Sequence, residues 1–142
     1  MSSSGRQTNG NPEREISRGI VAIYKEYLGR GPTSSRTELT EHTAVTTLTD
    51  ALTKAEHSLI ERGDGPTVRE MRRKFQAAMR ADITTLVEEV TGRKTASFLS
   101  DHDTDNDVAV EIVVFEETAE PEAVVSNGAA SVNGSAPANG AA

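Results

Sequence analysis

Between residues 68 and 90 the large apolar side chains are Val68, Met71, Phe75, Met79, Ile83, Leu86, Val87 and Val90, advancing almost entirely by threes and fours. That spacing keeps them on one stripe of an α-helix and on no single face of a strand. Gly92 is a natural stop, and Thr67-Val68-Arg69-Glu70 has the form of a capping box that would start the helix after a break at Gly65-Pro66. A helix of about six turns with one apolar stripe must bury that stripe against a second layer. The rest of the chain has to supply it.

A second helix is legible near the N-terminus. Asn11 can cap it, Pro12 fits a first turn where no amide hydrogen is needed, and Glu13 and Glu15 complement the positive helix end. Ile16, Ile20, Ile23, Tyr24, Tyr27 and Leu28 then form one broad face, and Gly29 ends it. Gly19 inside this helix costs about 1 kcal/mol relative to alanine, so either the helix tolerates it or something packs close there. A shorter helix is expected from the capping box Thr53-Lys54-Ala55-Glu56 to Gly63.

Two threonine-rich stretches, 36–41 and 44–50, favour strands joined by a turn at Glu41-His42-Thr43. Two more strands are expected over 95–100 and 108–116 around an acidic turn, with Val108, Val110, Ile112 and Val114 on one side. The element order is α-β-β-α-α-β-β. It predicts an α+β fold of two layers, a four-stranded, mostly antiparallel sheet with the long helices covering its apolar face.

The apolar fraction of 35% is low for a chain packed throughout, and both ends account for it. Residues 1–10 and 117–142 lack side chains that could anchor to a core and are expected to be disordered tails around a domain of residues 11–116. The second tail repeats Asn127-Gly128, Asn133-Gly134 and Asn139-Gly140. With no cysteine there is no disulfide framework and no thiolate site. No apolar run approaches the roughly 20 residues of a membrane-spanning helix. A cytoplasmic protein is the expectation. Of 22 carboxylates nine follow Lys94, and no Lys or Arg does; residues 1–94 carry all 15 basic groups against 13 acidic ones. So slight an excess argues against nucleic acid as a partner.

Several of these segments together resemble the bacterial MpsC-like family, named for a sodium-translocating, membrane-potential-generating system. The resemblance spans about residues 13–116. It rests on the helix ending in Tyr27-Leu28-Gly29-Arg30-Gly31-Pro32, the helix entry Leu52-Thr53-Lys54-Ala55-Glu56, the helix end Glu88-Glu89-Val90-Thr91-Gly92, and Ser100-Asp101 at a strand end. It implies a non-enzymatic accessory beside a membrane ion or bicarbonate transport system, at the inner face of the membrane. An integral-membrane transporter subunit would be the partner. It supplies no catalytic residues and no cofactor.

The residues themselves offer three places for function. Gly29, Arg30, Gly31, Pro32 and Arg36 join flexible backbone to two guanidinium groups, which suits an anion or a partner. A helix C-cap followed by a proline-fixed turn is the ordinary account of the same stretch. The long helix carries Arg69, Arg72, Arg73 and Arg80, expected with Gln76 on a basic stripe opposite the apolar one. It faces either solvent or an acidic partner. The alternating carboxylates of Asp101-His102-Asp103-Thr104-Asp105-Asn106-Asp107 invite a calcium reading. Asn106 and Ile112 stand where that loop needs glycine and glutamate, so an acidic hairpin turn is the better reading. His42 and His57 have no ligand spacing, and His102 has no nucleophile beside it in sequence. No metal, cofactor or catalytic set is expected. The alternatives to an accessory protein are a small-anion or nucleotide sensor using Arg30 and Arg36, and, less favoured, a small enzyme around His102. A homodimer through the sheet edges is a further expectation.

Overall fold

The computed structural model describes residues 10–118, so the expected tails lie almost wholly outside the described residues. The order is α1 (Pro12–Leu28), β1 (Ser34–Leu39), β2 (Thr43–Thr49), α2 (Lys54–Glu61), α3 (Gly65–Thr91), β3 (Thr95–Asp103) and β4 (Val108–Phe115). The strands form one antiparallel sheet in the order β1-β2-β4-β3, and the α+β fold is the one expected.

Local chemistry sets most boundaries. Asn11 accepts from the Glu13 and Arg14 amides, and Gly29 closes α1 at φ 87°. Thr53 and Glu56 form a complete capping box. The second expected box does not form. Helix α3 starts three residues earlier, with Pro66 in its first turn, and the Thr67 hydroxyl donates to the Asp64 side chain instead. Gly65-Pro66 thus opens the helix where a break was expected, because proline is free of the amide demand in a first turn.

The core lies between the helices and one sheet face. Ile16, Ile20 and Tyr24 of α1 and Met79, Ile83 and Val87 of α3 meet Ala44 and Leu48 of β2 and Ala109, Val113 and Phe115 of β4. Val108, Val110, Ile112 and Val114 do share a side, but it is the side turned from the helices. The buried alternation of β4 is Ala109, Glu111, Val113 and Phe115. The glutamate in that set hid its phase.

Gly19 makes room for α3: a Cβ there would stand 2.5 Å from Leu86 Cδ2. Gly19→Ala is therefore expected to destabilise by about 1–2 kcal/mol despite the better helix propensity of alanine. Urea unfolding checks the sign. A stabilised variant would show that Leu86 yields freely.

Candidate functional site

The stripe of α3 that faces inward is Val68, Arg72, Gln76, Met79, Ile83 and Val87, so two polar residues ride the helical phase into the interior. Arg72 is only 2% exposed, which removes it from the basic surface expected of it, and Gln76 is buried as well. The Arg72 guanidinium donates to both Glu56 oxygens at 2.9 and 2.7 Å and to the Ala51 carbonyl at 2.8 Å. Burial pushes the Glu56 carboxyl up, but the bonds from Arg72 and the Thr53 amide outweigh it and hold it below the usual range. The fork-on-fork geometry accounts for the strength of the pair.

A second knot lies beside it. Asp107 holds the left-handed φ of 55° and accepts from the Ala51 and Leu52 amides, both at 3.1 Å, and from His102 Nε2 at 2.9 Å. Since a carboxylate cannot donate, His102 carries its proton on Nε2. Burial lowers the His102 pKa and keeps the ring neutral, with Nδ1 facing the interior unpartnered. Burial raises the Asp107 pKa, yet His102 and the two amides prevail and depress it. His57, isolated in sequence, comes within 3.7 Å of Asp107, and Asp50, His57 and Asp107 place ligand atoms within 4.8 Å of one another. The Asp107 oxygens are already engaged by protein donors, so the group reads first as a staple between the start of α2 and the β3–β4 turn. The other carboxylates of that turn diverge. Asp103 accepts from the Asp105 and Asn106 amides and Asp101 from the His102 amide, which makes this the acidic turn expected.

Deeper in, the Tyr24 hydroxyl donates to Glu111 Oε2. Burial pushes the Glu111 carboxyl up to about 7, against the pull of the nearby Ser100 and Tyr24 hydroxyls. Burial and the Glu111 charge likewise raise Tyr24. Ser100 stands near Glu111 without closing a hydrogen bond, and Ser100 Oγ, Gln76 Nε2 and Glu111 Oε1 are all buried and unpartnered.

Gln76 and Ser100 reach the surface at a cleft of about 220 Å³ between α3 and β3, lined also by Arg73, Ala77, Arg80 and Phe98. Arg80 lies over the Phe98 ring at 5.7 Å. Arg69, Arg73 and Arg80 are exposed on this side of α3. Arg73 has Glu70 at 3.3 Å, while Arg69 and Arg80 have no carboxylate partner among the described residues. Two exposed guanidinium groups at one cleft suit a carboxylate or another small oxyanion.

The Gly29–Arg36 stretch divides. Arg30 turns inward to the Leu52 carbonyl at 2.6 Å, with Asp50 at 3.5 Å, and so ties α1 to the chain after β2. Gly31 is needed because a Cβ would come within 2.9 Å of the Val21 side chain, and Pro32 is buried. Arg36 sits apart on β1, highly exposed beside Glu38 at 3.7 Å, and joins Arg14 and Arg18 around a groove between α1 and β1. Arg30 and Arg36 thus engage different partners.

This arrangement, an antiparallel sheet under two long helices with a polar knot at one end, belongs to a class of small α+β domains. Residues 8–117 match the family described as Na+-translocating membrane potential-generating system (MpsC), and the chain belongs to that family. It is 28% identical over 97 residues to "Uncharacterized protein YbcI" of Bacillus subtilis (strain 168), covering 68% of this chain and 78% of that protein. No solved structure matches. No helix among the described residues is long and apolar enough to cross a membrane.

Proposed function

We propose that this chain is a non-enzymatic accessory of a membrane ion or bicarbonate transport system, acting in the cytoplasm at the inner face of the membrane by protein contact. Its exposed α3 surface receives an acidic segment of an integral-membrane subunit. The family name supplies the membrane system. The observation that carries the contact is the cleft between α3 and β3, where the exposed Arg73 and Arg80 stand together beside Phe98. One partner carboxylate entering it would meet two guanidinium groups, while Arg69 extends the attraction one turn along the helix. The other buried polar groups support a structural role, because Arg72, Glu56 and Asp107 are held by one another and by backbone.

The test is crosslinking in the native host, comparing wild type with Arg69→Glu, Arg73→Glu and Arg80→Glu combined. Recovery of an integral-membrane transporter subunit is expected to fall at least tenfold in the variant. Equal recovery from both, or no membrane subunit from the wild type, would sink the reading. The groove lined by Arg14, Arg18 and Arg36 favours the second reading, a sensor of a small anion or nucleotide. Saturable heat with phosphate, bicarbonate or a nucleotide, lost in Arg14→Ala/Arg36→Ala, would establish it. No heat from any of them ends it.

A further inference from the structure

On the sheet face turned away from the helices β4 is aliphatic throughout, β2 shows Thr43, Val45, Thr47 and Thr49, and the outer strands carry charge. Val45 on β2 and Val108, Val110, Ile112 and Val114 on β4 stand on it half-buried. Leu99 on β3 is 53% exposed, the one large apolar side chain in the open among the described residues. An antiparallel sheet with one solvated face ordinarily alternates apolar inward and polar outward. In β4 the outward set is four β-branched aliphatic residues, while the inward set includes Glu111. A face of four strands about 4.8 Å apart and some seven residues long covers on the order of 450 Å². The aliphatic part of it is the β4 strip with Val45 and Leu99, and an outward strand that is aliphatic throughout is what a covering partner accounts for.

We propose that a second copy of this chain covers this face, the two sheets packing against each other about a two-fold axis that runs along the strands. Charge selects the occupant and the axis. The pairing register places Arg36, Thr47, Val110 and Asp101 in one row across the four strands. Its β1 end is a cation and its β3 end a carboxylate. Rotation about an axis parallel to the strands exchanges the two edges and keeps each row level. Arg36 of each copy then stands over Asp101 of the other, on both sides of a shared apolar strip. In the next row, Glu38, Val45, Ile112 and Leu99, each exposed leucine comes over Glu38 of the other copy, whose carboxylate leans to its own Arg36 at 3.7 Å. Aligned sheets pack about 10 Å apart with their strands about 30° askew, an offset that an arginine side chain is long enough to span. The contact is self-complementary and closes at two copies. It uses the face of the sheet, leaving the edges and the α3 cleft free.

Sedimentation equilibrium of the full chain at neutral pH is expected to return twice the chain mass of 15.1 kDa. Ile112→Lys at the centre and Leu99→Lys near the rim are each expected to return the single-chain mass with an unchanged circular dichroism spectrum, since neither side chain belongs to the helix-side core. Asp101→Arg is expected to weaken the dimer roughly tenfold, and adding Arg36→Asp to restore it by making the same pair in reverse. A wild type that sediments at the single-chain mass overturns the proposal and leaves the face to residues 119–142 or to another protein. A dimer indifferent to both lysine variants, or a double reversal no tighter than the single one, overturns it equally.

Discussion

Arg72→Met is expected to destabilise the fold by about 3–5 kcal/mol, because it strands the Glu56 carboxylate in the interior without its charge partner. The two side chains are 2% and 4% exposed, so solvent screens neither. The variant also takes the Nη2 donor from the Ala51 carbonyl. Adding Glu56→Gln removes the orphaned charge while keeping an amide oxygen for the Thr53 capping bond, and is expected to recover a large part of the loss. The double variant would then be well short of the sum of the singles. Urea unfolding of the four proteins measures this. Additive effects would show that the pair is solvated in practice and that its burial is only nominal.

The second large effect is a dependence of stability on pH that runs opposite to ordinary acid denaturation. The Glu111 pKa rises from 4.5 unfolded to about 7 folded, so between those values the folded state holds a proton that the unfolded chain releases. Its contribution is fully present below the unfolded value and is lost as pH climbs through the folded one. The loss is roughly 2–3 kcal/mol between pH 5 and pH 8. His102, whose pKa is depressed by burial, works the other way and adds stability as pH rises toward 6.5. Comparing wild type with Glu111→Gln cancels that contribution, since His102 titrates in both. The substituted amide needs no proton to remain neutral, so the variant is expected to gain in melting temperature relative to wild type as pH rises from 5 to 8. A constant difference between the two melting profiles would mean that Glu111 titrates near its ordinary value.

Both effects arise where polar side chains occupy positions that a hydrophobic pattern assigns to the core, and there the sequence was hardest to read. The eight apolar residues of α3 placed the helix, yet its inward stripe substitutes Arg72 and Gln76 for Met71 and Phe75, which sit only part-buried at its shoulder. The signal was present in the phase: 72 and 76 follow Val68 by whole steps of four, and 76 precedes Met79 by three. Glu56 was legible as a cap, but its partner lies 16 residues away across a helix junction, beyond local pattern. Tyr24 and Glu111 are separated by 87 residues, and His102 and His57 meet only through Asp107. The threonine-rich hairpin kept its place because hydroxyl pairing there substitutes for apolar alternation. Ser17, Thr37 and Thr46 link α1, β1 and β2 at 2.7 and 2.8 Å in the interior. Glycine and proline marked the ends of α1 and α3 well. They misled only at Gly65-Pro66, where first-turn proline and chain break look alike in sequence.

The order β1-β2-β4-β3 has a bearing on how the chain is assembled during synthesis. Each hairpin joins neighbours in sequence, but the middle of the sheet is sealed by β2 with β4, strands whose paired residues are 59 to 71 positions apart. The strand that seals it is the last element of the domain to be made. Until Phe115 has emerged, β2 has an open side, α1 and α3 lack half of the surface they rest on, and Tyr24 has no Glu111. Closure of such long-range pairs is the slow part of folding. The centre of the sheet therefore closes late, once its last strand is available.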